Sequence, residues 1–189
     1  MPINNILISE RLILRPLQEE DLHSFAKLNA DPKVMEYFPK LLTMEESYHS
    51  LSALIKRFDQ NGWGYWAVEL KYNHEFIGII GLNRPDDTLP CSPCVEIGWR
   101  LMSSFWGNGY AVEGAKAALD FGFDVLNLDE IVAFTYEHNN RSQRVMQKLK
   151  MKHHDEYFNH PLLAEGHRLS RHILYRLTRA DWHFCRKSL

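Results

Sequence analysis

Residues 95–111 read Val95-Glu96-Ile97-Gly98-Trp99-Arg100-Leu101-Met102-Ser103-Ser104-Phe105-Trp106-Gly107-Asn108-Gly109-Tyr110-Ala111, and an alanine-rich run continues to Asn127. The first eight residues alternate: Val95, Ile97, Trp99 and Leu101 share one face of a strand, Glu96, Gly98 and Arg100 the other. Two glycines spaced by one residue then leave the backbone amides of a turn unshielded by side chains. The helix that follows adds unpaired N–H groups and the positive end of its dipole. A strand, a bare turn and a helix N-terminus together make a place for an anion, most simply a pyrophosphate.

Outward from this stretch, the chain reads as one domain over residues 1–189. Hydrophobic residues make up 45% and charged ones 24%, which places it with globular proteins rather than disordered or fibrous ones. The net charge of −2 gives no basic surface for nucleic acid, so none is expected as a partner. No apolar run is long enough to span a membrane, and Met1-Pro2-Ile3-Asn4-Asn5 does not open like a secretory signal. Cys91, Cys94 and Cys185 do not suit a disulfide framework, so a cytoplasmic location is expected. Cys91-Ser92-Pro93-Cys94 has CxxC spacing without a second pair and reads as a loop coincidence rather than a metal or redox site.

Arg11 to Pro16 alternates as a first strand. Glu19 to Asn29 has helical spacing and stops at Asp31-Pro32. Thr43 with Glu46 is a capping box opening a helix to Gly62. Tyr65 to Leu70 and Glu75 to Leu82 read as a hairpin, followed by the strand Val95 to Met102. The helix after the glycine turn carries Ala111, Ala115, Ala118, Leu119, Gly122 and Leu126 along one stripe. Glu130 to Glu137 is a strand, Arg141 to Leu149 a short helix capped by Asn139 or Asn140, and late strands lie near His153 to Phe158 and Arg171 to Leu177. The sum is an α+β domain with a central sheet.

A P-loop would need Gly-Lys-Ser/Thr at the end of the turn, and this turn has neither Lys nor a hydroxyl. A dinucleotide fold would need a third Gly or Ala where Val112 stands, and an early place in a parallel βαβ series. A third reading is a resemblance. The chain resembles the GCN5-related N-acetyltransferase (GNAT) superfamily, and within it the subgroup that acetylates ribosomal-protein N-termini. The segments that carry it are Ser9 to Pro16, Phe76 to Leu82, Val95 to Trp99, Trp106 to Ala111, Asn139 to Leu149 and His172 to Leu177 with Asp181-Trp182 following. Six segments in order are a far more specific signal than one glycine turn. Trp106 departs from the polar first residue of the signature, Lys150-Met151 replaces its usual Gly-Phe, and Arg141 stands where a small residue is common.

The resemblance implies a mostly antiparallel twisted sheet of about seven strands, splayed between the fourth and fifth, with about four flanking helices. It implies acetyl-CoA as cosubstrate and a primary amine as acceptor, a protein N-terminal α-amine first. A small amine such as a polyamine, amino acid or antibiotic is the variant. The amides of Trp106, Gly107, Asn108, Gly109, Tyr110 and Ala111 would hold the pyrophosphate. The pantetheine arm would pair with the strand at Trp99 and Leu101. Glu96 is the candidate base, against a plain solvated strand Glu, with His138 as a rival. Ser142 is the candidate donor to the leaving thiolate, against a first-turn Ser satisfying backbone amides. Asn139 binds pantetheine or a water, or is simply an N-cap. Gly98 marks a bulge making room for the thioester, or close packing. Trp63, Tyr65 and Trp66 wall an acceptor pocket or belong to the core.

No metal is expected, because the histidines His153, His154, His160, His167, His172 and His183 lack ligand spacing. Specificity is expected in the segments Pro32 to Thr43, Asn83 to Pro93 and His160 to Arg168. The assembly expected is a monomer or homodimer. The rival classes are a non-catalytic CoA-binding module and a nicotinamide-dinucleotide binder.

Overall fold

A computed structural model describes residues 5–85 and 88–188, Ser188 by its backbone alone. Met1 to Asn4 of the opening stretch, and Asp86-Asp87 of the expected specificity segment, lie outside the described residues. Eight strands follow the order β1-β2-β3-β4-β5-β6-β8-β7 in one mixed sheet, and the chain divides into two compact units.

The first unit comprises Met1–Leu82 and Gly98–Ala118. Its strands β1 (Leu7–Ile8), β2 (Leu12–Pro16), β3 (Tyr65–Leu70) and β4 (Phe76–Asn83) form an antiparallel meander. Apolar residues on them end in the core: Leu12, Leu14, Trp66, Ala67, Val68 and Ile80 are fully buried. Helix α1 (Leu22–Ala30) and helix α2 (Met44–Asn61) cover one face. Thr43 and Glu46 cap α2 reciprocally, as the spacing required, and Gly62 ends it in the left-handed conformation. Phe25, Leu28 and Leu51 meet Ala67 and Ile79 in the core beneath. Helix α3 (Tyr110–Asp120) follows the glycine turn, with Ala115 and Ala118 fully buried on the expected stripe.

The second unit comprises Asn83–Ile97 and Leu119–Leu189. Strand β5 (Glu96–Leu101) begins here and runs on into the first unit. Its partner β6 (Glu130–Tyr136) is parallel to it in register Glu96↔Val132, and Val132 N–H donates to the Val95 carbonyl at 2.9 Å. These are the two strands between which a splay was expected, and they meet at the first residue of β5. β6 pairs antiparallel with β8 (Arg171–Thr178), which also takes β7 (Tyr157–Asn159). Helix α4 (Asn140–Lys148) and helix α5 (Arg179–Cys185) complete the unit.

The structure fills in three details of the expected elements. The described residues hold eight strands where about seven were expected, the addition being Leu7–Ile8, a two-residue edge against Leu14 and Ile13. They hold five α-helices where about four were expected: Thr178 accepts from Asp181 N–H and opens α5, which buries Trp182 against Phe123. The late strand expected near 153–158 forms only at Tyr157–Asn159, where Asn159 pairs with Arg171.

The end of α4 keeps its form despite its departure from the signature. Lys150 adopts φ 62° in the place where glycine is usual, and Met151 N–H reaches back to the Met146 carbonyl at 3.0 Å. That is a Schellman closure built with a lysine.

Candidate active site

In the first unit the glycine turn has the geometry its residues demand. Gly107 and Gly109 sit at φ +83° and +84°, a region L side chains rarely adopt. Around the position a Cβ of Gly107 would take there is open space. Asn108 turns its side-chain amide inward to the Phe105 and Trp106 carbonyls, at 3.2 and 3.3 Å. The outward side is left to backbone. The Gly109 carbonyl accepts from Glu113 N–H at 3.0 Å, so α3 is wound from its first turn and its leading N–H groups have no carbonyl one turn back. A pyrophosphate fits such a bare, N–H-rich turn.

Tyr110 and Ala111 form the first turn of α3. The indole of Trp106 donates to the Leu101 carbonyl at 2.8 Å, tying the turn to the end of β5. Trp99 is partly buried on β5, and Leu101 is buried.

Two residues that the sequence did not single out hold this turn. Glu113 accepts from Ser9 Oγ at 2.7 Å, from Arg11 N–H at 2.6 Å and from Arg11 Nε at 2.7 Å. Burial pushes its carboxyl pKa up, but the bonds from the Arg11 backbone, the Ser9 hydroxyl and the Arg11 guanidinium outweigh burial and leave it lowered. The Arg11 guanidinium stacks on Tyr110 at 4.6 Å from its ring centre and lies beside Gly109. A carboxylate at a helix start would oppose an incoming phosphate, and this one is already neutralised. Its signal was weak: one Glu in the first turn, and an Arg a hundred residues away.

Gly98 is closely packed: the Tyr65 hydroxyl occupies the place of its missing Cβ. The pairing of β3 with β4 shifts register at Val68/Glu69. Trp66 is core, its indole bonded to the Asn5 carbonyl at 2.7 Å, while Tyr65 lies at the core's edge.

In the second unit, Glu96 is partly buried and Asn83 Nδ2 donates to its Oε1 at 2.7 Å. Asn139 is the N-cap of α4: its Oδ1 accepts from Ser142 N–H at 3.2 Å and its Nδ2 donates to Thr135 Oγ1 at 2.9 Å. Its amide is therefore engaged at both ends. The Ser142 hydroxyl makes no hydrogen bond among the described residues and is partly buried. His138 is exposed beside Glu137. The Cys91 and Cys94 sulfurs approach to 3.5 Å, and burial together with the neighbouring Cys91 thiol pushes Cys94 up to about 12. Among the described residues no cluster of three His, Cys, Asp or Glu could hold a metal, and no helix is long and apolar enough to cross a membrane.

Residues 11–152 match the family model described as an acetyltransferase (GNAT) domain. The FsC-acetyl coenzyme A-N(2)-transacetylase of Aspergillus fumigatus is 31% identical over 188 residues, covering 93% of this chain and 77% of the fungal one. The spermidine N(1)-acetyltransferase of Escherichia coli is 26% identical over 145 residues, covering 72% of this chain and 70% of its own. The solved ribosomal-protein-S5-alanine acetyltransferase of Vibrio fischeri superposes with a TM-score of 0.73 at 22% identity, covering 94% of this chain and 98% of that one. The bare glycine turn after β5 lies within the matched span, and with that match the chain belongs to the GNAT family of N-acetyltransferases.

Proposed function

We propose that the chain moves the acetyl group of acetyl-CoA to a protein N-terminal α-amine, by direct attack in a ternary complex, as a single cytoplasmic domain over residues 1–189. The observation that carries the cosubstrate is the turn itself: two left-handed glycines, an inward-turned Asn108 and the open start of α3. The amides of Trp106 to Ala111 take the pyrophosphate, and the strand edge at Trp99 and Leu101 takes the pantetheine arm.

The chemistry then needs a neutral amine. An α-amine, with a pKa of roughly 7.7–8, reaches that state at neutral pH more readily than a lysine at about 10.4. Glu96, held by Asn83, accepts the amine proton directly or through a water. The amine lone pair attacks the thioester carbon, a C–N bond forms and the C–S bond breaks. The nitrogen gives up its second proton as the amide forms, and the leaving sulfur takes up a proton through the Ser142 hydroxyl, so that CoA departs as the thiol. Asn139 serves by fixing the start of α4, which presents Ser142.

A second reading, a small-molecule amine as acceptor, draws support from the names of the two relatives, a transacetylase acting at N(2) and a spermidine acetyltransferase. Calorimetry with acetyl-CoA tests the cosubstrate. CoA release over a panel of N-terminal peptides and small amines tests the acceptor. Turnover on peptides carries the first reading. Turnover on small amines alone replaces it with the second, and no acetyl-CoA uptake removes both.

A further inference from the structure

Arg100, in the first-unit part of β5, carries a guanidinium with no counter-ion among the described residues. Arg11, Arg15, Arg171, Arg176, Arg179 and Arg186 each lie within salt-bridge distance of a carboxylate. Arg100 has none among the described residues. Its one hydrogen bond there runs from Nη1 to the Met35 sulfur at 3.4 Å, a weak acceptor. The Phe25 ring centre lies 5.5 Å from its guanidinium carbon and the Phe38 ring centre 5.1 Å.

Burial lowers its pKa to about 10, with only a small opposing effect from Tyr65. The nearest carboxylate along the chain, Glu96, accepts from Asn83 Nδ2 at 2.7 Å, and Asp31, at the end of α1, accepts from Ser103 Oγ at 2.6 Å and from Lys33 N–H at 2.8 Å. Desolvating a charge without pairing it is costly, and a fold keeps such a group when something else completes it. Two rings hold the guanidinium in place, most of its N–H donors have no acceptor among the described residues, and the residue as a whole is partly buried. Met35 and Phe38 belong to the Pro32 to Thr43 segment, in which the sequence places acceptor specificity.

We propose that Arg100 is an acceptor-recognition residue that pairs with a carboxylate of the amine substrate. The acceptors are then amines carrying a carboxylate: a protein N-terminus with an acidic side chain close behind it, or a free acidic amino acid. A guanidinium at this place repels a polyamine. The inference rests on the acetyltransferase reading and gives that reading its substrate class.

The test is CoA release by the full chain with matched acceptors. Ser-leading peptide amides carry Asp or Glu at the second, third or fourth position against Asn or Gln at the same position. Free glutamate is set against glutamine. Wild-type enzyme should favour the acidic member by at least about tenfold in kcat/KM, the scale of a charge-assisted contact left unpaired. Preference among peptides identifies a protein N-terminus, and preference for glutamate alone identifies a free amino acid. Arg100→Gln should erase the preference, mainly through KM, while Arg100→Lys retains part of it, and acetyl-CoA affinity by calorimetry stays as in wild type.

Equal rates within every pair, or a preference that survives in Arg100→Gln, overturns the proposal. Should Arg100→Gln fail to fold, competition of wild type by the N-acetylated acidic peptide against its amide isostere decides the matter, and equal inhibition overturns the proposal. Acetyl-CoA uptake with turnover but no acidic preference fails this inference alone. Absence of acetyl-CoA uptake fails the acetyltransferase reading beneath it.

Discussion

Asn83, the last residue of β4, donates its side-chain amide to Glu96, the first residue of β5, across 2.7 Å. The bond fixes one carboxylate oxygen and, in the mechanism we propose, the direction in which Glu96 accepts a proton. A hydrogen bond to a charged group contributes about 1.5–3 kcal/mol, so Asn83→Ala should lower kcat roughly tenfold. Glu96→Gln, which removes the proposed base, should lower it by about two to four powers of ten. Steady-state kinetics with acetyl-CoA checks both, and calorimetry should find cosubstrate affinity unchanged in each.

Gly109 stands at φ +84° with the Arg11 guanidinium beside it. An alanine there carries about 1–2 kcal/mol of left-handed backbone strain. On the proposed reading, relief of that strain turns the amides away from the pyrophosphate. Gly109→Ala should weaken acetyl-CoA binding about tenfold in calorimetry, matching about 1.4 kcal/mol. A substitution at Gly166, also left-handed but remote in sequence from the turn, should leave that affinity alone.

Glu113 gives a pH dependence with a definite sign. Its folded carboxyl lies below the ordinary 4.5, because the Arg11 and Ser9 bonds outweigh burial. A depressed acid contributes stability that is present above the unfolded pKa and lost as pH falls through the folded one. Urea denaturation should show wild type losing more stability than Glu113→Gln between neutral pH and the region below 4.5. Parallel losses in the two proteins would remove the role assigned to this carboxylate.

Lys150 closes α4 at φ 62°. Glycine takes that conformation freely, whereas a side chain costs about 1–2 kcal/mol, part of which the looser unfolded glycine chain returns. Lys150→Gly should stabilise by about 1 kcal/mol and raise Tm by roughly 2–4 °C in a chain of this size. A thermal melt with a lower Tm would show that the lysine makes a contact worth more than the strain.

Some of the fold was legible residue by residue. Thr43 and Glu46 announced α2 because a capping box is a local device, complete within four residues. The alternation in β5 and the spacing of Ala115 and Ala118 announced which faces would be buried. α5 escaped although Thr178 caps it by accepting from Asp181 N–H, since a strand pattern runs directly into it. The two-residue β1 has no period of its own to read, and it exists only because Leu14 and Ile13 lie opposite.

The candidate site divides along the same line. Conformations set by a residue's own chemistry could be read from the chain alone: the left-handed Gly107 and Gly109, the N-cap at Asn139, the alternation that faces Glu96 and Arg100 alike. Partnerships could not be read, because they join residues that chain order keeps apart. The Tyr65 hydroxyl over Gly98, Asp31 claimed by Ser103, Glu113 neutralised by Arg11, and Arg100 left between two phenylalanines each arise when separate elements are brought together. Local backbone preference acts over a few residues and is written in sequence, whereas burial and charge pairing act through space and are settled only when the chain closes on itself.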